Sequence, residues 1–335
     1  MTTQLRPWTS ELEPEIADFV AQHRDGLIYY APAFRRYLLA VVGGDCRSVL
    51  AYEDGRLTGV LPVLVKSGPY GPVLNSLPFF GSPGGALTTS ATAAEALRGE
   101  YDRLASDVAV ANWIAHPFVD VAPPRHTLTD ERIAQWTELP SDATAVTDLI
   151  EPSARRNIQK AVAQGVVVRE RTDALDFLER THRENMAAIG GRAKPPEFFS
   201  RLAGTMTAGR DWRLYVAEQA GEPIAALLTF EAARTVEYVM PVVRESARGL
   251  QPTAAILSHA MEAAAARGFV RWNWGGTWLT QEGVYRFKKK WGARERRYRY
   301  FVTVNDPSVL RRGAAELAEA YPWYYTVPYG ALEPR

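Results

Sequence analysis

The residues best suited to chemistry in this 335-residue chain are Gly283-Val284-Tyr285-Arg286-Phe287-Lys288-Lys289-Lys290-Trp291-Gly292. They follow a strand-like run, Phe269-Val270-Arg271-Trp272-Asn273-Trp274, and then Gly275-Gly276-Thr277. Two glycines at the end of a strand let the backbone take positive φ or let a ligand approach closely. A short basic-aromatic helix after them would present Lys288 near that opening. Consecutive side chains on a helix point about 100° apart, so Lys288 and Lys289 cannot both face one cleft. A cation there suits acyl transfer, whose tetrahedral intermediate carries an oxyanion. The plainer alternative is that all three lysines face solvent.

Around this segment the charge is local. The chain carries 39 Lys and Arg against 38 Asp and Glu, a net charge of +1, so bulk electrostatics select no partner. Residues 286–299, however, hold Arg286, Lys288, Lys289, Lys290, Arg294, Arg296, Arg297 and Arg299 against Glu295. Blocks this basic often meet phosphates, and the alternative is a solvated strand-and-helix face. The single cysteine, Cys46, excludes an internal disulfide and reads as a structural thiol. There is no CxxC or HExxH, and the five histidines are scattered, so no metal is expected. The N-terminus has no apolar leader-like region, and no apolar run is long enough to span a bilayer. A cytoplasmic protein without stable membrane insertion is the expectation.

The elements that must position these residues come in a repeating order. Helices are expected at 12–23 and 32–42, the second with Pro32 in its first turn. Strands 48–52 and 57–65 flank Asp54-Gly55, a hairpin signal. Residues 66–87, rich in Gly, Pro and Ser, read as an ordered loop near a ligand, anchored by Leu74, Leu77, Phe79 and Phe80. A helix at 91–107, a strand at 109–115 and strands near 133–138 and 144–149 follow. The second half reads as helix 152–164, strand 166–171, helices 173–188 and 196–207, and strands 212–218, 222–230 and 235–243. Then come helix 252–267 with its Arg267-Gly268 cap, strand 269–274, helix 281–290, strand 295–304 and a helix at 307–320. An aromatic tail, Tyr321-Pro322-Trp323-Tyr324-Tyr325, follows and is expected to fold back on the first domain.

Helices, antiparallel strands, helix, strand, helix, strand is the order of a GNAT acyltransferase, and both halves show it. On three segments the chain resembles the Fem family of aminoacyl-tRNA-dependent transferases, which are built from two GNAT-like domains. They are Ala154-Arg155-Arg156-Asn157-Ile158-Gln159-Lys160-Ala161 with Gly165-Val166, helix 252–267 with Gly268-Phe269 and Trp274-Gly275-Gly276-Thr277, and Gly283 to Gly292 with its Phe-Lys pair. Ser76-Leu77-Pro78 with Gly84-Gly85 fits more loosely. No long coiled-coil arm is present, so the resemblance is to the compact type. It implies an α/β (α+β) fold of two tandem GNAT-like domains, each a mixed, mostly antiparallel sheet flanked by helices. They are expected at 1–149, on the acceptor side with 306–335 packing back on it, and at 150–305, on the donor side.

The resemblance also implies roles. Lys288 would stabilise the oxyanion and Phe287 would pack beside the reactive ester. Arg155 and Arg156, with Arg35 and Arg36 as weaker candidates, would hold a nucleotide diphosphate or other acidic part of the acceptor, and Tyr238 is a candidate cleft group. Gly275, Gly276, Thr277, Gly84 and Gly85 would form cleft backbone. Lys289, Lys290, Arg294, Arg296 and Arg297 would meet tRNA phosphates. No general base stands out: His259, His182 and Glu184 lie on helices with nothing to single them out.

The donor turns on Arg248-Gly249-Leu250-Gln251-Pro252-Thr253, where an acyl-CoA enzyme holds pyrophosphate on glycine-rich backbone. One glycine and Pro252, which has no N–H, favour aminoacyl-tRNA over CoA. No cofactor is expected. The expected activity is transfer of an aminoacyl group from aminoacyl-tRNA to the amine of a small, anionic acceptor, by a monomer that binds no DNA. Two alternatives stay open: an acyl-CoA N-acyltransferase, and a non-catalytic RNA-binding module.

Overall fold

The protein, described here by a computed structural model, has described positions for residues 3–77, 83–277 and 281–333. It folds as two compact units, residues 1–133 with 296–335 and residues 134–295. The chain leaves the first unit within strand Leu128–Glu138 and returns to it within strand Arg294–Val304. The divisions therefore fall inside strands, earlier than the 149/150 and 305/306 divides read from the sequence.

In the second unit, four antiparallel strands lie in the order Val167–Glu170, Trp212–Gln219, Glu222–Ala232, Thr235–Val243. Arg271–Thr277 then joins in parallel beside Thr235–Val243. A parallel neighbour needs a crossover, and helix Pro252–Ala266 supplies it. That helix is apolar on most of its surface because it is buried between helix Pro152–Ala163 and the sheet. Tyr215, Ala217, Leu227 and Val236 meet it on one sheet face, and by the alternation of a strand Leu214, Val216 and Leu228 point to the other. All three are buried. This is the mixed, helix-flanked sheet that the element order implied.

The first unit has a four-stranded sheet, Gln4–Pro7, Val49–Glu53, Arg56–Leu61, Leu87–Thr88. A second set of strands includes Val73–Asn75 parallel to Val110–Ile114, with Tyr300–Val304 antiparallel on its far side. Helix Ala91–Ala105 covers the core through Leu97 and Tyr101.

Several sequence expectations need correction. The run 57–65 is two strands in different sheets, Arg56–Leu61 and Leu64–Lys66, because Pro62 has no N–H to continue a ladder. The loop 66–87 contains a buried strand, Val73–Asn75. Residues 144–149 are helical rather than extended, since Asp142 accepts a hydrogen bond from Thr144 N at 2.9 Å and starts a turn. Gly275 and Gly276 continue their strand to Thr277 instead of ending it. The final helix splits into Pro307–Arg311 and Ala314–Ala320 around Gly313. Among the described residues no helix is long and apolar enough to cross a membrane.

The aromatic tail belongs to the first unit. Asn75 and Asn112 hold the Tyr325 carbonyl at 2.8 and 2.9 Å, and Tyr325 N donates back to Asn75 Oδ1 at 3.0 Å. Tyr321 packs closely against Gly68, where an added Cβ would meet the ring at 2.3 Å. The ring cannot retreat, because its hydroxyl donates to Gly71 O at 2.6 Å and accepts from Tyr70 N at 3.0 Å. Gly68→Ala is therefore expected to destabilise the protein by about 1–3 kcal/mol, the usual cost of overpacking. Denaturant unfolding beside Gly165→Ala, whose Cβ meets nothing within 4 Å but whose positive φ carries its own strain, separates steric cost from backbone cost.

Candidate active site

The site begins where the sheet of the second unit opens. Strands Thr235–Val243 and Arg271–Thr277 pair over only three residues, ending at Glu237 opposite Asn273, although both strands run on. A bulge helps to part them: Leu228 faces Met240 and Thr229 faces Tyr238, so Val239 is the extra residue. At the apex Asn273 Nδ2 donates to Glu237 Oε2 at 2.6 Å, and both side chains are buried. The Asn273 Oδ1 accepts from Gly275 N at 2.9 Å. This Asx-type bond helps to hold Gly275 at φ +73°, a value that favours glycine; a Cβ there would meet nothing, so conformation and not space requires it.

The strand end so shaped receives Lys288. Helix Glu282–Lys289 turns Lys288 inward, 4% exposed, and leaves Lys289 in solvent. Lys288 Nζ donates to Thr277 Oγ1 at 2.8 Å and Gly276 O at 3.0 Å, with Gly275 O at 3.4 Å. Three oxygens match the three donors of an ammonium. Thr277 passes its own proton to Gln135 Oε1 at 2.9 Å, and Gln135 Nε2 donates to Tyr285 O at 3.2 Å, tying the lysine's helix to its acceptors. Among the described residues no carboxylate accepts from Nζ. Burial therefore acts largely uncompensated and pushes Lys288 down to about 8.

An aromatic cluster forms the floor. Trp274 lies 5.1 Å from Tyr238, 5.9 Å from Trp272, 6.3 Å edge-on from Phe287 and 6.4 Å from Trp291, between ring centres. Its indole N–H donates to Thr137 Oγ1 at 2.9 Å, and Thr137 donates to Trp291 O at 2.9 Å. Phe287 thus packs into the core and anchors the helix that carries Lys288. Tyr238, half-buried, has its phenol pushed up by burial.

Of the residues singled out in the sequence, Lys288, Phe287, Tyr238, Gly275, Gly276 and Thr277 come together in this unit. Arg155 and Arg156 are exposed on helix Pro152–Ala163, and among the described residues neither has an ion-pair partner. Lys289 and Arg294 are exposed and Lys290 half-buried. Arg35, Arg36, Gly84, Gly85, Arg296 and Arg297 belong to the other unit. There Arg35 is engaged by Glu13 at 2.9 Å and stacked over Trp8 at 4.9 Å, and Arg36 pairs with the same Glu13. Gly84 and Gly85 pack tightly, Gly85 N donating to Ser76 Oγ at 3.2 Å. Arg296 bonds Pro117 O and stacks on Phe118, and Arg297 pairs with Glu131. Pro78, Phe79 and Phe80 lie outside the described residues.

His182 is buried, accepts from Lys194 N at 3.1 Å and is pushed down to about 4 by burial and the Lys194 charge, so it is neutral. His259 is exposed, edge-on to Tyr215, because it falls on the solvent side of its helix.

Sequence reasoning missed Gln135, Glu237 and Asn273. Asn273 between two tryptophans, and Glu237 within an apolar strand, are polar residues at buried positions of strands, a signal open to reading. Gln135, 153 positions before Lys288, carried none.

The structure has relatives of known form. Residues 152–289 match the acetyltransferase (GNAT) domain family. FemX shares 13% identity with a TM-score of 0.69 over 91% of this chain and 98% of its own. The C-terminal domain (DUF2156) of a putative lysylphosphatidylglycerol synthetase from Agrobacterium fabrum shares 11% identity, TM-score 0.57, over 95% and 99%. A conserved protein of unknown function from Bacteroides thetaiotaomicron shares 9%, TM-score 0.58, over 90% and 100%. No curated protein matches the sequence. At these identities the likeness is one of fold, and the fold is Fem-like: a doubled GNAT arrangement with an acyltransferase-type domain in its second half.

Burial of Lys288 makes a stability prediction. Its folded value lies below that of a free lysine, so between pH 8 and about 10.5 the unfolded chain binds the extra proton and stability rises with pH. Lys288→Met is expected to remove that rise, worth on the order of 3 kcal/mol. Urea unfolding of both proteins at pH 7 and pH 10 measures it; identical pH dependence would show that the lysine is not desolvated.

Proposed function

We propose that this Fem-like chain of the GNAT fold is an aminoacyltransferase, moving an aminoacyl group from aminoacyl-tRNA to the amine of a small, anionic acceptor. The observation that carries the reading is Lys288, a buried cation held by uncharged oxygens where two strands part. In the reaction the acceptor nitrogen attacks the ester carbonyl, a C–N bond forms and the C–O ester bond breaks. The amine proton ends on the leaving ribose oxygen. Negative charge appears on the carbonyl oxygen in between, and the Lys288 ammonium is the group to meet it. Proton transfer is assigned to the substrates, since His182 Nε2 is engaged by Lys194 N and Glu184 is exposed.

The donor assignment draws on the loop before helix Pro252–Ala266. Residues Glu245–Leu250 form a 3-10 turn that uses its own N–H groups: Ala247 N bonds Arg244 O at 3.0 Å and Gln251 N bonds Arg248 O at 3.2 Å. Pro252 contributes none. Little backbone is left to cradle a pyrophosphate, which disfavours CoA. The acceptor classes that fit are a nucleotide-linked peptidoglycan precursor and an amine intermediate of a peptide-like natural product.

A discharge assay tests this with two labelled donors, pooled aminoacyl-tRNA and acetyl-CoA, against a panel of amines that includes a UDP-linked muropeptide. Transfer from tRNA is expected, falling on the order of 10²–10³-fold in Lys288→Ala. The rate should decline as pH rises through about 8, where Lys288 loses its proton, and Lys288→Arg should lack that decline. Transfer from acetyl-CoA alone would overturn the donor assignment.

A further inference from the structure

We infer that the basic face formed by helices Pro152–Ala163 and Glu282–Lys289 docks the phosphate backbone of the donor RNA. The inference rests on the aminoacyl-tRNA reading above. Two backbone hydrogen bonds in series join the helices: Glu151 N donates to Lys290 O at 2.8 Å, and Arg155 N donates to Glu151 O at 3.0 Å. Ile158 of one helix and Phe287 of the other pack against the same core. Their exposed sides carry Arg155, Arg156 and Lys160 on the first and Lys289 on the second, with Lys290 half-buried at the junction.

These five cations are grouped on one face. Several arginines elsewhere in the same unit are matched: Arg213 and Arg267 on Glu231, Arg171 on Glu218 and Asp173, Arg210 on Asp211. Among the described residues Arg155, Arg156, Lys160, Lys289 and Lys290 have no ion-pair partner. The helix Pro152–Ala163 contains no acid, and Glu282 on the other helix is spent on Arg286 at 3.8 Å. The whole chain holds six lysines, and four of them, Lys160, Lys288, Lys289 and Lys290, lie on these helices or at their junction. Unpaired surface cations repel one another, and a polyanion relieves that repulsion by releasing counterions.

The same geometry argues against the acceptor role that the resemblance implied for Arg155 and Arg156. A small anion is held in a concave site that buries it. These two side chains stand exposed on a helix surface, which suits an RNA backbone running across it. Because Lys288 leaves the same short helix on its buried side, RNA on this face would bring an attached ester toward the parted strands.

The test is binding of end-labelled, deacylated tRNA to the full chain by fluorescence anisotropy from 50 to 300 mM KCl, with transfer kinetics alongside. In Arg155→Gln/Arg156→Gln/Lys160→Gln the slope of log K against log salt is expected to shrink by about 2–3, and low-salt affinity to fall at least about tenfold. The melting temperature and the acceptor KM should stay unchanged while the donor KM rises. Lys288→Met should bind tRNA as the parent does. If the parent binds tRNA and the triple variant matches it, this face is not the dock, although the donor reading stands. A rise in acceptor KM with unchanged RNA binding returns the arginines to the acceptor and overturns the inference. Parent protein that binds phosphatidylglycerol vesicles but not tRNA overturns both.

Discussion

The burial of one ammonium group constrains the rest of the second unit. A lysine 4% exposed, with only uncharged oxygens around it, is costly to hold, and the surroundings must over-determine its place. Asn273 fixes Gly275, the strand end then offers Gly276 O and Thr277 Oγ1, and Gln135 braces Thr277 and the lysine's helix together. Trp274, Phe287 and Trp291 hold that helix against the sheet. Removing the side chain of Asn273, Thr277 or Gln135 leaves a buried polar group with fewer partners, the condition that makes such networks all-or-none.

The two units use one architectural joint in opposite ways. Each contains a parallel ladder of three residue pairs ending in polar residues, Asn75 with Asn112 in the first and Glu237 with Asn273 in the second. In the first unit the ladder's end is stitched shut: Ser76 Oγ accepts from Ile114 N at 2.8 Å, Gly84 N reaches Ile114 O at 3.2 Å, and the two asparagines grip the tail at Tyr325 and Thr326. In the second the strands part and a cation sits beneath them. A shared fold thus carries a packed joint in one copy and a charged opening in the other, decided by a handful of side chains.

Much of the fold was legible. Helices Pro32–Val42, Pro152–Ala163 and Pro252–Ala266 begin at prolines in their first turns and keep apolar periodicity, so their starts were readable. The hairpin at Asp54-Gly55 was equally plain. The failures have physical causes. Residues 144–149 carry an extended-looking alternation, but one Asp142 cap converts them to helix. Val73–Asn75 is too short to show a period and is a strand because Val110–Asn112 pairs with it.

The sequence by itself determined the doubled GNAT order, the glycine pair before a Phe-Lys helix, and that two adjacent lysines could not both turn inward, because local propensity and the 3.6-residue period act over a few positions. Tertiary structure alone decided the rest. It placed Gln135 beside Thr277 across 142 positions of chain, paired Arg35 with Glu13, and left Arg155 and Arg156 without ion-pair partners among the described residues. Those outcomes depend on which distant side chains meet, and the meeting is set by packing of whole elements.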